Sequence, residues 1–203
     1  MSPLDKRPQT CGMALKEWAG ICQALVSGQQ AILLRNGGIS EAPTGFRPEH
    51  PWFWLFPTHL HESEQLLRPP LVASQDPTSS TRPEDESTTD PNRVPLQALA
   101  HAGSVWWVDQ LDALKRLADL HFWTDETVEK RFHYRKPGLW VIGVRVFIRS
   151  QPVWLDVTRD QHGCKSWVPL ESPLETGDLS PVVGDPEFGQ RMGLVEARLS
   201  GDR

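Results

Sequence analysis

The stretch LWVIGVRVFI, at residues 139–148, gives the strongest strand signal in the sequence. Half of its residues are β-branched and only Gly143 interrupts it, which is typical of a buried β-strand. The run WFWLFPT contains Pro57, which marks a strand end or a sheet edge because proline has no N–H to donate. Shorter strands of the same apolar, turn-bounded type are predicted at residues 30–35, 52–58, 103–109, 154–157 and 166–170.

Helices are predicted between these strands. Apolar residues spaced by three and four predict helices over residues 13–28 and 111–121. Thr124 is a good N-cap for a third helix, and a weaker helix is predicted over residues 186–199. Strands and helices mix without regular alternation. We therefore predict an α+β fold with a small, mostly antiparallel sheet or a small barrel, flanked by helices.

The chain of 203 residues is long enough for one hydrophobic core. Residues 71–93 carry five acids and two arginines, with no large apolar side chain after Val72, and this composition predicts a disordered acidic insertion. We predict a disordered start (residues 1–12), one α+β domain (13–170) that contains the insertion, and a weakly structured C-terminal extension (171–203).

Composition narrows the classes of function. A net charge of −5 excludes a uniformly basic coat for nucleic acid, although a local basic face is compatible with it. Three cysteines cannot form a disulfide framework, and no apolar run approaches the ~20 residues of a membrane span. These features predict a cytoplasmic protein with no membrane partner, and no motif implies a cofactor.

Patterns that would support metal binding or catalysis are incomplete. Cys164 lies beside a lysine that could lower the pKa of its thiol, but no third group is identifiable that would orient a base, so no catalytic residue is predicted. No metal site is predicted either, because the candidate ligands lack the spacing of a zinc site; they are His59, His61, His121, His162 and Cys164.

A hydrolase remains as an alternative function. The order of the strand-like runs is similar to that in Nudix hydrolases, but the acid-rich box that would hold magnesium is absent. The alternative is therefore a degenerate Nudix-like phosphohydrolase or a nuclease subunit. A third alternative is a protein-interaction scaffold that docks a partner through the acidic insertion.

The segment from residue 115 to residue 165 favours nucleic-acid binding. It holds ten cations and six acids, a local excess of four positive charges, with tryptophans and a tyrosine interleaved. Cations contact phosphates and aromatic faces stack on bases. Arg35 is a further candidate, because it ends an apolar strand before a Gly-Gly turn. A buried guanidinium there needs either a carboxylate, such as Glu41 or Glu49, or a ligand phosphate or base edge.

Five phrases of the sequence resemble, in order, a bacterial family known as domain of unknown function 1802. They are KEWAGICQALVSGQQAILLRNGGISE, FRPEHPWFWLFPTHLH, LADLHFWTDETVEKRF, GVRVFI and GCKSWVPL, and the resemblance covers roughly residues 13–170. The family has no established activity. Its members are similar to proteins found beside restriction-type nuclease domains, which implies a restriction or defence context and a nuclease partner protein.

A second resemblance concerns the segment ALVSGQQAILLR. It is similar to the Ser-Gly-Lys-x-x-Glu-x-Arg opening of PUA-like barrels, the fold of ASCH and EVE domains, which bind RNA or modified DNA bases in an aromatic pocket. Gln29 or Gln30 stands here in place of the lysine, and Leu33 replaces the acid. This resemblance implies that the predicted barrel is PUA-like.

Together these observations predict a non-enzymatic module that recognises nucleic acid, including a modified or flipped base. The predicted ligand-binding residues fall into three roles. Arg35 and Lys165 contact phosphate or base edges, His61 donates a hydrogen bond, and the indoles line or stack in the pocket; the indoles are Trp54, Trp123 and Trp167.

Overall fold

The structure is a computed structural model that describes residues 7–36, 39–42, 45–48, 50–59, 66–68, 93–134, 136–158, 161 and 165–201, with backbone alone for 39–42 and 45–48. The strands are β1 (Thr10–Trp18), β2 (Ile32–Arg35), β3 (Ile39–Ala42), β4 (Gly45–Pro48), β5 (Trp52–Thr58), β6 (Arg93–Val108), β7 (Leu139–Asp156), β8 (Trp167–Glu175) and β9 (Ser180–Pro181). The α-helices are α1 (Ala19–Val26), α2 (Leu111–Lys115), α3 (Asp125–Phe132) and α4 (Asp185–Ser200). Apart from Arg93, which begins β6, the predicted insertion lies outside the described residues.

Seven strands form one sheet in the order β2-β7-β6-β5-β1-β8, with β9 paired to β7, and β3 and β4 pair separately. Among the strands that are described, β1 and β5 form the one parallel pair. The predicted α+β class and the mostly antiparallel sheet are therefore confirmed. The hydrogen-bonded path does not close in the described part of the chain, so the sheet is open and not a closed PUA-like barrel.

The central pair of the sheet is β6 and β7. The predicted strand at 139–148 is confirmed, and β7 continues through residues 154–156, so that two predicted strands are one. β6 pairs with β7 over almost all its length and begins ten residues before the predicted strand. The local sequence RVPLQALAHA is poor in β-branched residues, so only the long-range pairing reveals this part of β6.

The prediction of a helix from residue 13 was wrong for residues 13–18, which form most of β1. Every residue from Ala14 to Trp18 is buried, so the strand shows no alternation that would reveal its period. The spacing of three residues between the apolar Leu15 and Trp18 is therefore the same as on one face of a helix. Helix α1 begins only at Ala19 and ends at Val26, two residues before the predicted stop at Gly28, whose φ of 73° is in the left-handed region that glycine tolerates.

The predicted helix over 111–121 was too long, because α2 ends at Lys115 and His121 is extended. The third predicted helix is confirmed as α3. The Thr124 hydroxyl accepts a hydrogen bond of 3.3 Å from the Thr127 N–H and so caps the first turn.

The C-terminal region is more ordered than the sequence indicated. It contains the second half of β8, strand β9 and the sixteen-residue helix α4. Phe188 and Val195 of α4 are buried, and Val195 belongs to the main core cluster. Residues 171–201 are therefore part of the fold, and the predicted weakly structured extension needs correction.

His121 is a buried histidine beside the indole of Trp123, with ring centroids 5.5 Å apart. Neither ring nitrogen has a hydrogen-bond partner among the described residues. Burial lowers the pKa of His121 to about 4, the charge of Arg68 adds to this effect, and Asp125 and Asp119 oppose it. The imidazole is therefore neutral in the folded protein at neutral pH.

We expect His121 to make the fold sensitive to acid. The unfolded chain binds a proton at this residue near pH 6.5 and the folded chain only near pH 4, so stability falls as the pH drops through that window. The shift corresponds to a loss of about 3 kcal/mol in the free energy of unfolding. Urea unfolding at a series of pH values checks this: His121→Phe should flatten the pH dependence.

The exposed His133 is the control, and His133→Phe should leave the pH dependence unchanged. The same pH dependence in wild type and His121→Phe would contradict the expectation.

Candidate functional site

A buried carboxylate lies at the edge of the sheet where β1 and β5 end. The two strands are parallel, so their C-terminal residues reach the same edge, with Glu17 opposite Pro57. Glu17 is only 2% exposed. A buried carboxylate is stable only when it is paired or hydrogen-bonded, so its partners define the site.

Arg35 is the ion-pair partner of Glu17. Its guanidinium lies 3.0 Å from Glu17 Oε2 and also donates a 3.0 Å hydrogen bond to the carbonyl of Lys16. Glu17 Oε1 accepts a further bond from the backbone N–H of Trp18. Arg35 ends β2 and Glu17 lies in β1, so this side chain joins two strands that are not neighbours in the sheet.

Arg131 comes to the same place from the last turn of α3. Its guanidinium lies 4.1 Å from the centroid of the Trp18 ring and 5.4 Å from that of Trp123, and it donates to the carbonyl of Leu34. Burial lowers the pKa of Arg131 to about 10, Glu17 opposes this shift, and the charge of Arg35 adds to it. Arg131 is still charged at neutral pH, and the nearby charge of Glu17 favours that charged form.

Lys165 lies two residues before β8 and is exposed. Leu15 pairs with Trp167, and the N–H of Lys16 donates to the carbonyl of Ser166, so the same register continued by one residue places Lys165 opposite Glu17. We call Glu17, Arg35, Arg131 and Lys165 the Glu17 cluster.

The structure brings part of the predicted site together. Arg35 and Lys165 belong to the Glu17 cluster. Trp167 is partly exposed next to it, and its ring lies edge-on to those of His50 and Phe53 at 5.0 and 5.3 Å. His61 lies outside the described residues.

The other two predicted indoles are in the core. Trp123 lies beneath Arg131 and is fully buried. Trp54 is fully buried in a second core cluster, where its Nε1 donates to the carbonyl of Cys11 and Arg149 lies 4.8 Å from its ring centroid. Neither ring therefore has a face open to a base. No contact among the described residues joins Trp54 to the Glu17 cluster.

Two of the described cations in the segment 115–165 are buried and paired with acids. Arg145 and Arg149 pair with Asp185 and Asp178, acids that flank β9. These pairs hold the C-terminal region to β7. Arg131 and Lys165 are the members of this segment that belong to the Glu17 cluster.

Sequence reasoning missed Glu17 and the role of Arg131. Because the sequence predicts a helix at Glu17, it gives no indication that Glu17 lies opposite Pro57 and Lys165 in a sheet. Arg131 was counted among the cations of the segment, but its contact with Trp18 depends on how α3 packs. The described partner of Arg35 is accordingly Glu17, which lies eighteen residues before it in the sequence.

Two negative findings concern the described residues alone. They contain no group of three His, Cys, Asp or Glu side chains that could hold a metal ion. None of their helices combines the length and the apolar character needed to cross a membrane.

The fold and the site define an α+β domain with a buried ion pair, Glu17–Arg35, and a second arginine, Arg131, near it. The chain matches the family "Domain of unknown function (DUF1802)" over residues 14–193, and it belongs to that family. No curated protein matches it.

Solved structures similar to the chain include the ASCH protein from Zymomonas mobilis, at 13% identity and a TM-score of 0.41, covering 89% of this chain and 92% of that one. A tyrosine-to-phenylalanine mutant of the same protein gives 12% identity and a TM-score of 0.40, covering 89% and 95%.

Proposed function

We propose that this protein binds nucleic acid and that the Glu17 cluster holds a backbone phosphate. The observation that carries the proposal is the position of two guanidinium groups, those of Arg35 and Arg131, near the buried carboxylate of Glu17. Arginine forks match phosphate oxygens in charge and in geometry.

The surroundings of the cluster support a polymer of phosphates as the ligand. Lys165 adds an exposed cation, and Trp167, two residues along the chain, adds a partly exposed aromatic ring. The chain as a whole is acidic, so attraction of a polyanion requires a local group of cations such as this one. A hydrolase needs a group of acids and a base around one cleft, whereas Glu17 is occupied by Arg35, and this difference favours binding over catalysis. A modified base as the ligand and a nuclease partner stay predictions from the family resemblance.

Lys165→Ala tests the proposal without disturbing the core, because the side chain is exposed. We expect the affinity for a fluorescein-labelled single-stranded oligonucleotide, measured by fluorescence anisotropy at low salt, to fall about fivefold, the equivalent of about 1 kcal/mol. The slope of log affinity against log salt concentration should become smaller by about 0.7, the value for one phosphate contact on a single strand.

Lys115→Ala is the matched control, since Lys115 is an exposed lysine on α2, outside the Glu17 cluster. It should leave both the affinity and the salt slope near their wild-type values. Equal losses in the two variants would show that binding is diffuse and would overturn the assignment to the Glu17 cluster. A wild-type protein that binds neither DNA nor RNA at low salt would overturn the proposed function itself.

A further inference from the structure

Two tryptophans lie in the same cross-strand row as Arg35. Arg35 of β2 is directly opposite Trp140 of β7, and Trp140 is directly opposite Trp107 of β6. Opposed residues on antiparallel strands point to the same face of a sheet. The row Arg35-Trp140-Trp107 therefore continues from the Glu17 cluster onto an aromatic surface.

The two indoles contact each other. Their ring centroids are 4.7 Å apart and their planes are inclined by 53°. Both residues are partly exposed, and Lys136 Nζ lies 5.6 Å from the centroid of the Trp107 ring. The Trp107 ring packs close to Gly138, where an added Cβ would lie only 2.1 Å from its Cζ2 atom, and the φ of 133° at Gly138 is one that other residues rarely adopt. Glycine at this position therefore makes room for the indole.

We propose that one ring of the Trp107–Trp140 pair, supported by the other, stacks on an unpaired base of a single-stranded nucleic acid whose phosphate is held by the Glu17 cluster. This inference rests on the proposed function and specifies the class of its ligand. A partly exposed indole pair with a cation beside it suits a flat, polar ring attached to a phosphate. The bases of a duplex are already stacked on one another, so the platform selects single strands.

The experiment separates bases from phosphates. The probes are an oligothymidylate of about ten nucleotides and an abasic oligonucleotide with the same number of phosphates. Wild type should bind the oligothymidylate roughly tenfold more tightly than the abasic strand. Trp140→Leu should remove this preference and leave the affinity for the abasic strand unchanged. The more conservative Trp107→Phe, which keeps an aromatic ring, should reduce the preference without removing it.

Trp154→Leu is the matched control, because Trp154 is an exposed tryptophan on the same strand with its own cation, Arg93, 5.7 Å from the ring centroid. It should bind both probes as wild type does. Circular dichroism checks that each variant is folded. If Trp140→Leu does not fold, Trp107→Phe provides the test.

The outcomes distinguish the two proposals. Equal binding of both probes by wild type, with no effect of either platform variant, would overturn the platform and leave the phosphate site standing. Binding of neither probe by wild type would overturn the proposed function and the platform with it. An equal loss of preference in Trp154→Leu would also overturn the platform, because stacking would then not be confined to the row with Arg35.

Discussion

Replacing Glu17 by glutamine is expected to lower the free energy of unfolding by about 3–5 kcal/mol, because it removes the carboxylate that pairs with the largely buried guanidinium of Arg35. The carboxylate is 2% exposed and pairs with Arg35 at 3.0 Å, and its charge also favours the charged form of Arg131. Glutamine has nearly the same shape, so the loss would come from the missing charge and not from a cavity. Urea denaturation measures it.

Glu187→Gln is the matched control for this change. Glu187 also pairs with an arginine, Arg191, but on the exposed surface of α4 and four residues away in the same helix. Exposed pairs of this kind contribute about 0.5 kcal/mol or less, so the control should be close to wild type. If Glu17→Gln were no more destabilising than Glu187→Gln, the fold would not depend on the buried charge of Glu17, and this account of the Glu17 cluster would be contradicted.

The Trp123→Ala variant is expected to lose about 3–5 kcal/mol of stability, the usual cost of deleting a large buried aromatic side chain. Trp123 has no exposed surface, lies beneath Arg131, and pairs through its backbone with Leu67. Since a domain of ordinary stability has only about 5–15 kcal/mol in total, the variant should be close to unfolding at room temperature. Its melting temperature, measured by circular dichroism, checks this.

The same variant decides between the two roles of Trp123. The sequence predicted an indole that stacks on the ligand, whereas the structure gives it a core position. Trp154→Ala is the control, because this indole is 37% exposed and its loss should cost far less stability. A folded, stable Trp123→Ala protein with lost oligonucleotide binding would contradict the core assignment and restore the predicted stacking role.

The sequence predicted those elements whose signal is local. The β-branched run of β7, the N-cap Thr124 and the stop at Gly28 each act within a few residues, and each was found where expected. The open sheet order was not predictable in this way. β1 is recognised as a strand only through its pairing with β5 and β8, which lie far from it in the sequence.

The candidate site could be predicted only in part, because its contacts join residues that are far apart in the sequence. Arg35 was noticed because a charged residue after an apolar strand needs a partner, and the structure supplies one in Glu17. The choice of Glu17 depends on the side-chain bridge from β2 to β1, which no spacing in the sequence encodes. Trp54 and Trp123 were chosen because indoles can stack, but tryptophan composition does not distinguish a core ring from an exposed one.

The guanidinium groups of Arg35 and Arg131 offer the most direct test of phosphate binding at the Glu17 cluster. In a protein with isotope-labelled arginine, their Nε–Hε resonances can be followed by NMR during titration with the oligothymidylate. Both resonances are expected to shift and to saturate at the Kd measured by anisotropy. Saturable binding that leaves both unmoved, while the resonances of Arg116 and Arg198 shift instead, would contradict a phosphate site at Glu17.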